Sequence, residues 1–352
     1  MEYITLTRHY AISRIIIGCW QLAGGHGSID REQVFADIPS FLMSSIDTFD
    51  CADIYSGVES MLGSFLQQWS PRRRVLYDFL KLPVPNIHTK FVPDLDVLPY
   101  ITKAYVERII NRSLRRLRSG CIDLVQFHWW DYDIPRYVET AHWLAELQQE
   151  GKILHLGVTN FDVPHLREIV ESGVKLLTHQ VQYSLLDRRP EHGMVDFCRA
   201  HDIRLLCYGT LAGGFFSEKY LGMSEPQEPL ENRSLTKYRL IIDEFGGWEL
   251  FQKLLKVLSI IARKHGVSIA NVAVRYILDK PQVAAVIIGA RNTAHLQDTL
   301  RVFEFTLDDE DRKTIQTVIG QSQGLRGDVY ELERVKGGKH ASIMKYNLNQ
   351  FE

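Results

Sequence analysis

Ile46-Asp47-Thr48-Phe49-Asp50-Cys51-Ala52-Asp53-Ile54-Tyr55-Ser56-Gly57-Val58-Glu59 reads as the end of a short buried strand followed by a polar loop. Ile46 to Phe49 is rich in β-formers. The loop then presents an aspartate and, five residues later, a tyrosine. A carboxylate and a phenol close together suggest proton transfer, but both residues are common and the pair alone proves little. The unit itself, a strand with a polar end followed by a helix, recurs along the chain.

Upstream, Ile15-Ile16-Ile17 closed by Gly18 predicts a fully buried strand. Gly24-Gly25-His26-Gly27 predicts a flexible loop without the G-x-G-x-x-G spacing of a dinucleotide fold. Asp30 is placed to cap a helix reaching about residue 44, which Pro39 should kink or shorten. Downstream, Ile87-His88-Thr89 predicts a strand ending at Lys90. Val106, Ile109, Ile110, Ser113 and Leu117 mark one face of the next helix, which Gly120 should stop. Leu124 to Phe127 leads to His128, and a helix marked by Val138, Ala141 and Ala145 ends at Gly151. Leu154 to Val158 leads to Thr159-Asn160, another strand ends near Gln180-Val181, and Ile203 to Cys207 leads to Tyr208.

From Gly209 to about Trp248 the rhythm pauses in a long Gly-, Pro- and Glu-containing insertion, the sort of loop that serves as a lid or is disordered. It resumes with the amphipathic helix of Phe251, Leu254, Leu255, Leu258, Ile261 and Ala262. Val283 to Ile288 is the last strand, and Asp308 is placed to cap a final helix to about Ile319. The eight units predict an α/β fold, a (β/α)8 barrel over residues 1–320, with an open doubly wound sheet as the alternative. Residues 321–352 form a C-terminal extension that either folds back over the barrel mouth or stays a surface tail.

Bulk properties narrow the function classes. With 352 residues, 24% charged and a formal net charge of -2, the chain has no chain-wide basic bias for nucleic acid or acidic membranes. Arg72-Arg73-Arg74 and the Arg112, Arg115, Arg116 and Arg118 group then read as solvated surface. Cys19, Cys51, Cys121, Cys198 and Cys207 contain no C-x-x-C pair, which fits a reducing compartment better than a zinc site. The N-terminus lacks the apolar core of a signal peptide and no apolar run is long enough for a membrane span, so a cytoplasmic location is expected. Oligomeric state leaves no mark in the sequence.

In a barrel of this type the C-terminal strand ends form the active-site face. Asp50, Lys90, His128, Thr159, Asn160, Gln180, Tyr208 and Gly289 all fall there. One polar strand end means nothing. A ring of them is hard to explain by packing, because unpaired polar groups near a core are costly. One His and one Asp are too few for a metal site, so none is expected.

Four stretches give this chain its resemblance to the aldo-keto reductase superfamily over about residues 12–320. They are Phe49 to Tyr55, His88-Thr89-Lys90, Asp123 to Trp129 and Gly157 to Phe161, supported by Gln180 to Tyr183 and Tyr208 to Leu211. The match is closer to the bacterial, fungal and plant branches. The resemblance implies a carbonyl reductase, or an enzyme running the reverse reaction, alcohol or sugar lactol oxidation, on a small molecule. Tyr55 would be the general acid, Lys90 would lower its pKa, Asp50 would hold Lys90, and His128 would orient the carbonyl oxygen or share the proton.

It also implies a nicotinamide cofactor, NADP(H) rather than NAD(H). Thr159, Asn160 and Gln180 match the carboxamide-holding positions, and Tyr208 matches the ring on which the nicotinamide stacks. Gly209, Leu211 and Gly213 belong to the pyrophosphate loop. Gly289, Ala290 and Arg291 form the phosphate-binding turn. The chain departs from many relatives by carrying His295 where they place a basic residue for the 2′-phosphate, and Asp298-Thr299 where they place Glu-Asn for adenine. Arg291 could supply the missing charge. Trp20, Trp129 and Trp130 would wall the substrate pocket, with Gln21 and Asp131 at its rim, which suits a hydrophobic or ring-shaped carbonyl compound.

Each residue has a plainer reading. Thr159 and Asn160 could cap a helix, Tyr208 could be a rim aromatic, and His128 could be a core histidine. Asp53 has no assigned chemistry. Cys51 and Cys207 read as small packing residues. Two rival functions share the fold: a non-redox biosynthetic enzyme and a nucleotide-sensing regulatory subunit.

Overall fold

The computed structural model describes residues 2–24, 30–68 and 83–349. Part of the Gly24-Gly25-His26-Gly27 loop and all of Arg72-Arg73-Arg74 lie outside the described residues. The barrel strands are β3 (Ile15–Gly18), β4 (Thr48–Asp50), β5 (Asn86–Phe91), β6 (Ile122–Phe127), β7 (Ile153–Thr159), β8 (Thr178–Gln182), β9 (Arg204–Tyr208) and β10 (Val283–Gly289). They close in chain order, and β10 pairs in parallel with both β3 and β9. The (β/α)8 barrel expectation is therefore met and the open-sheet alternative is not. A hairpin of β1 (Tyr3–Thr7) and β2 (Tyr10–Ser13) precedes the barrel, where the sequence had suggested only a lead segment. Its Tyr10 and Ile12 join Ile16, Leu124, Leu206, Ala284 and Ala285 in the core inside the barrel.

Local chemistry explains most boundaries. Asp30 caps α1 (Arg31–Met43) through the N–H groups of Glu32 and Gln33 at 3.0 and 3.1 Å, and the helix runs on through Pro39. Following α2 (Val58–Gln68), α3 (Lys103–Leu117) buries the five positions read from its period. It ends at left-handed Arg118, not at Gly120. Next come α4 (Tyr137–Gln149), α5 (Val163–Glu171) and α6 (Met194–Ala200).

The 209–248 insertion is mostly ordered helix and turn. Asn232 caps α7 (Arg233–Phe245), whose Leu235, Tyr238, Ile242 and Phe245 face inward at helical spacing. Preceding Pro- and Glu-rich residues hid this period. The helices α8 (Gly247–His265), α9 (Ile269–Leu278), α10 (Leu296–Leu300) and α11 (Asp309–Ile319) complete the outer layer, and the chain continues into α12 (Glu331–Arg334) and α13 (Lys339–Ser342). Among the described residues no single helix is long and apolar enough to cross a membrane.

Candidate active site

Register places the polar residues together. Asp50 ends β4, Gln126 sits on β6 and Gln180 on β8, so one layer across the barrel interior draws on alternate strands. The layer is polar and centred on Asp50, with Gln126 Oε1 buried and without a protein partner. Asp50 Oδ1 accepts from Gln126 Nε2 and from Gln180 Nε2, each at 2.8 Å. Asp50 Oδ2 accepts from Lys90 Nζ at 2.6 Å, and Lys90 also donates to the Cys51 carbonyl at 2.8 Å. Gln126 was not singled out in the sequence. The available signal was an amide inside the apolar run Leu124 to Phe127.

Burial alone would discharge Lys90, but the Asp50 carboxylate and then Tyr55 outweigh it and raise its pKa. Lys90 is therefore a fixed positive charge. Its Nζ lies 5.2 Å from the centre of the Tyr55 ring. Tyr55 is placed by a tight turn, its N–H donating to the Ala52 carbonyl and its own carbonyl accepting from Val58 at the start of α2, both at 3.0 Å. The Tyr55 phenol is pushed up to about 12. Burial is the main cause, and Lys90 opposes it without prevailing. Lys90 thus acts in the expected direction, but burial outweighs it and the net shift is upward, so the phenol keeps its proton at neutral pH.

His128 Nδ1 lies 3.2 Å from the Thr159 carbonyl. A carbonyl only accepts, so Nδ1 carries the proton. Burial, with Arg334 adding to it, pushes the ring pKa down to about 3. The imidazole is neutral at pH 7, and Nε2, buried and without a protein partner, is left as an acceptor.

The expected pocket walls divide. The Trp20 ring lies 5.0 Å from Tyr55, and Trp130 stands edge-on to His128 at 4.3 Å. Trp129 does not line the pocket. It is fully buried, and its indole N–H donates to the Asp131 and Ile134 carbonyls at 2.8 and 3.0 Å. Alternation along the chain sends it into the core, against Phe127.

Of the residues expected at the nucleotide, Thr159 donates its hydroxyl to the Gln180 carbonyl at 3.1 Å, and Asn160 takes left-handed backbone. Asn160 Oδ1 accepts from the Tyr208 hydroxyl at 2.8 Å. Gly209 has φ +77°, and a side chain there would strike Tyr238. Leu211 is half-buried and Gly213 exposed on the same loop. Gly289, the last residue of β10, and Arg291 and His295 beyond it are exposed, and a Cβ on Gly289 would fall 2.0 Å from Gln21 Nε2. Asp298 accepts from Ser268 Oγ and Asn271 Nδ2 at the start of α9, and Thr299 is half-buried beside it. A side-chain-free strand end, an exposed turn with Arg and His, and an amide beside an aromatic ring fit a dinucleotide. Among the described residues no group of three or more His, Cys, Asp or Glu could hold a metal ion. Burial pushes the thiols of Cys51 and Cys207 up.

A family model described as "Aldo/keto reductase family" matches residues 14–319. The chain belongs to the aldo/keto reductase family. Aldo-keto reductase YhdN of Bacillus subtilis is 27% identical over 91% of this chain and 94% of its own length. The NADH-specific methylglyoxal reductase of Escherichia coli is 24% identical over 87% and 94%. Among solved structures, the glycerol dehydrogenase AKR11B4 from Gluconobacter oxydans superposes with a TM-score of 0.73 at 25% identity, over 91% of this chain and 95% of that one.

In this aldo/keto reductase family member, residues 321–349 run across the barrel mouth. Asp328 Oδ2 accepts from the Val163 N–H at 3.1 Å. Glu333, from α12, is buried with Arg189 Nη1 at 3.5 Å and Lys237 Nζ, from α7, at 3.6 Å, and Arg189 is paired with Asp187 at 2.7 Å. Arg334 donates to the carbonyls of Trp129 and Asn160, both at 2.9 Å. The Tyr330 ring sits 5.5 Å from His128, and Tyr346 sits 5.0 Å from Trp130. Lys237 Nζ lies 5.2 Å from the Tyr208 ring centre and 5.6 Å from that of Tyr330, so the insertion and the extension meet beside Tyr208.

Two arginines of the α3 cluster are not the solvated residues expected. Arg116 donates to the Asp53 carbonyl at 3.0 Å and to Glu59 at 3.2 Å, and Arg112 grips Asn349. Asp53 itself is buried, its Oδ2 accepting from the Val92 N–H at 3.1 Å. Desolvation, then Glu59, pushes its carboxyl up to about 8. These inward turns have no periodic signature, so the sequence did not reveal them.

Proposed function

We propose that this chain reduces an aldehyde or ketone to an alcohol with NADPH, Tyr55 serving as the general acid. The observation that carries the reading is the buried Lys90–Asp50 pair beside Tyr55, on the same face as the unpartnered Nε2 of His128. When bound, the dihydronicotinamide supplies the hydride. Tyr55 gives its phenolic proton to the oxygen on which negative charge develops. Lys90 stabilises the phenolate left behind, and Asp50 keeps Lys90 charged and aimed. His128, neutral and protonated on Nδ1, cannot be the acid; its Nε2 cannot hold a carbonyl oxygen, as the sequence suggested, but would accept from the hydroxyl of the alcohol formed. The aromatic surround of Trp20, Trp130, Tyr330 and Tyr346 favours a hydrophobic or ring-shaped carbonyl substrate.

For the cofactor, Thr159, Asn160 and Gln180 would border the carboxamide and Tyr208 would stack on the nicotinamide. Gly209, Leu211, Gly213 and Gly289 would border the pyrophosphate. Arg291, with His295 nearby, would meet the 2′-phosphate, and Asp298 and Thr299 would lie towards adenine. Arg291 is the reason for choosing NADPH over NADH, since a guanidinium suits a phosphate. Titration of tryptophan fluorescence tests this. Arg291→Ala should weaken NADPH by about tenfold or more, a lost charge-assisted contact being worth at least about 1.4 kcal/mol, while NADH changes little. Equal losses would overturn the NADPH assignment.

A further inference from the structure

The short segment from Val92 to Asp96, which leaves β5, touches the site on two sides. Towards β4, the Val92 N–H donates to Asp53 Oδ2 at 3.1 Å, two residues before Tyr55. Towards β6, the Pro93 carbonyl accepts from Trp130 Nε1 at 2.9 Å, and Trp130 packs edge-on against His128 at 4.3 Å. The residues that hold and direct the proton thus share one support, the Val92–Asp94 connection and the first residues of the 3-10 helix Leu95–Tyr100. It lies beyond the end of β5, so the barrel ladder does not fix it.

The C-terminal extension lies along this support. Leu95 donates to the Tyr346 carbonyl at 3.1 Å, and the Asp96 N–H donates to Asn347 Oδ1 at 3.2 Å. Asn349 closes the contact and is 8% exposed. Its N–H donates to Asp94 Oδ1 at 2.9 Å. Its side-chain Nδ2 donates to the Val92 carbonyl at 2.7 Å and towards Asp53 Oδ2 at 3.4 Å, while Oδ1 accepts from Arg112. A buried group with donors on one side and an acceptor on the other is what an asparagine supplies. Alanine would leave three polar partners short of a bond, and aspartate would keep the Arg112 contact but lose both donors.

We propose that Asn349 is a positioning residue for the reaction: it clamps the Val92–Asp96 segment onto Asp53 and so fixes the loop that presents Tyr55 and the indole that backs His128. The inference rests on the reductase reading for its catalytic half. Asn349 acts through other residues and does not reach the substrate. Displacing a reacting group by about 1 Å can cost on the order of a hundredfold in rate.

The test compares the full chain with Asn349→Ala and with Asn349→Asp, the second retaining size and the Arg112 contact should the first fail to fold. Amide hydrogen exchange of peptides covering residues 51–57 and 92–96 should speed by about tenfold in both variants, with the β6 to β9 strands unchanged. Turnover of an aldehyde that the unsubstituted chain reduces should fall in kcat by about tenfold or more, with NADPH affinity within about twofold. Unchanged exchange in both peptides overturns the proposal whatever the chain reduces. Faster exchange with unchanged kcat overturns its catalytic half. Absence of any turnover in the unsubstituted chain overturns the reductase reading and that half with it, while exchange still decides whether Asn349 anchors the loop.

Discussion

Lys90 Nζ lies 2.6 Å from Asp50 Oδ2, with the two side chains only 8% and 5% exposed. Removing one partner strands a buried charge. Lys90→Met should therefore destabilise the fold by about 3 kcal/mol, whereas Asp50→Asn combined with Lys90→Met should recover much of that loss. Chemical denaturation of Lys90→Met, Asp50→Asn and the double variant checks this. Neither variant that lacks Lys90 should turn over, because the positive charge beside Tyr55 is gone. Additive stability losses would mean that the pair is not energetically coupled.

The pH dependence of reduction should be set by Tyr55 and not by His128. The acid form of Tyr55 persists below its pKa of about 12, and His128, pushed down to about 3, does not titrate in the working range. Reduction measured as kcat/KM should then be flat between about pH 6 and pH 9. The reverse oxidation needs the phenolate, so it should rise with pH over the same range. A fall in reduction centred near pH 7 would point to a different acid.

Docking of the extension should depend on Glu333. Burial by itself would raise its pKa, but Lys237 and Arg189 prevail and hold the carboxyl below the usual range. A carboxyl lowered in the folded state contributes stability above its unfolded pKa and loses it as pH falls through the folded value. Limited proteolysis at neutral pH should therefore spare residues 321–349, and cleavage there should begin below about pH 4. Glu333→Gln should expose the same segment at neutral pH, because Arg189 and Lys237 would share Asp187 alone. Equal protection in the variant would show that the charge cluster does not hold the extension.

Strand ends and helix faces were legible because each follows from a local rule. Apolar runs predicted the eight barrel strands, and Asp50, Lys90, His128, Thr159 and Tyr208 all fall at or next to the C-terminal strand ends, whereas Gln180 sits mid-strand because its strand runs on to Gln182. Alternation, applied more strictly, would have sent Trp129 into the core. The insertion helix Arg233–Phe245 was hidden only by its Pro- and Glu-rich approach. Non-local contacts were not legible. Glu333 meets Arg189 across more than a hundred residues of chain, and Asn349 meets Asp53 across still more. In the sequence each of these is an ordinary polar residue. The raised phenol pKa of Tyr55 was missed for a related reason: the Lys90 neighbour could be inferred, but the depth of burial that outweighs it could not.

The central claim is hydride transfer to a carbonyl carbon with Tyr55 donating the proton. The most direct measurement supplies NADPH deuterated on the transferable position of the nicotinamide, with a panel of aromatic aldehydes and ketones, and follows the label by mass spectrometry. The account predicts one NADPH oxidised per alcohol formed, deuterium on the carbinol carbon, and a loss of rate of about a hundredfold or more in Tyr55→Phe with NADPH affinity unchanged. Product formed without NADPH oxidation, or full activity in Tyr55→Phe, would contradict it.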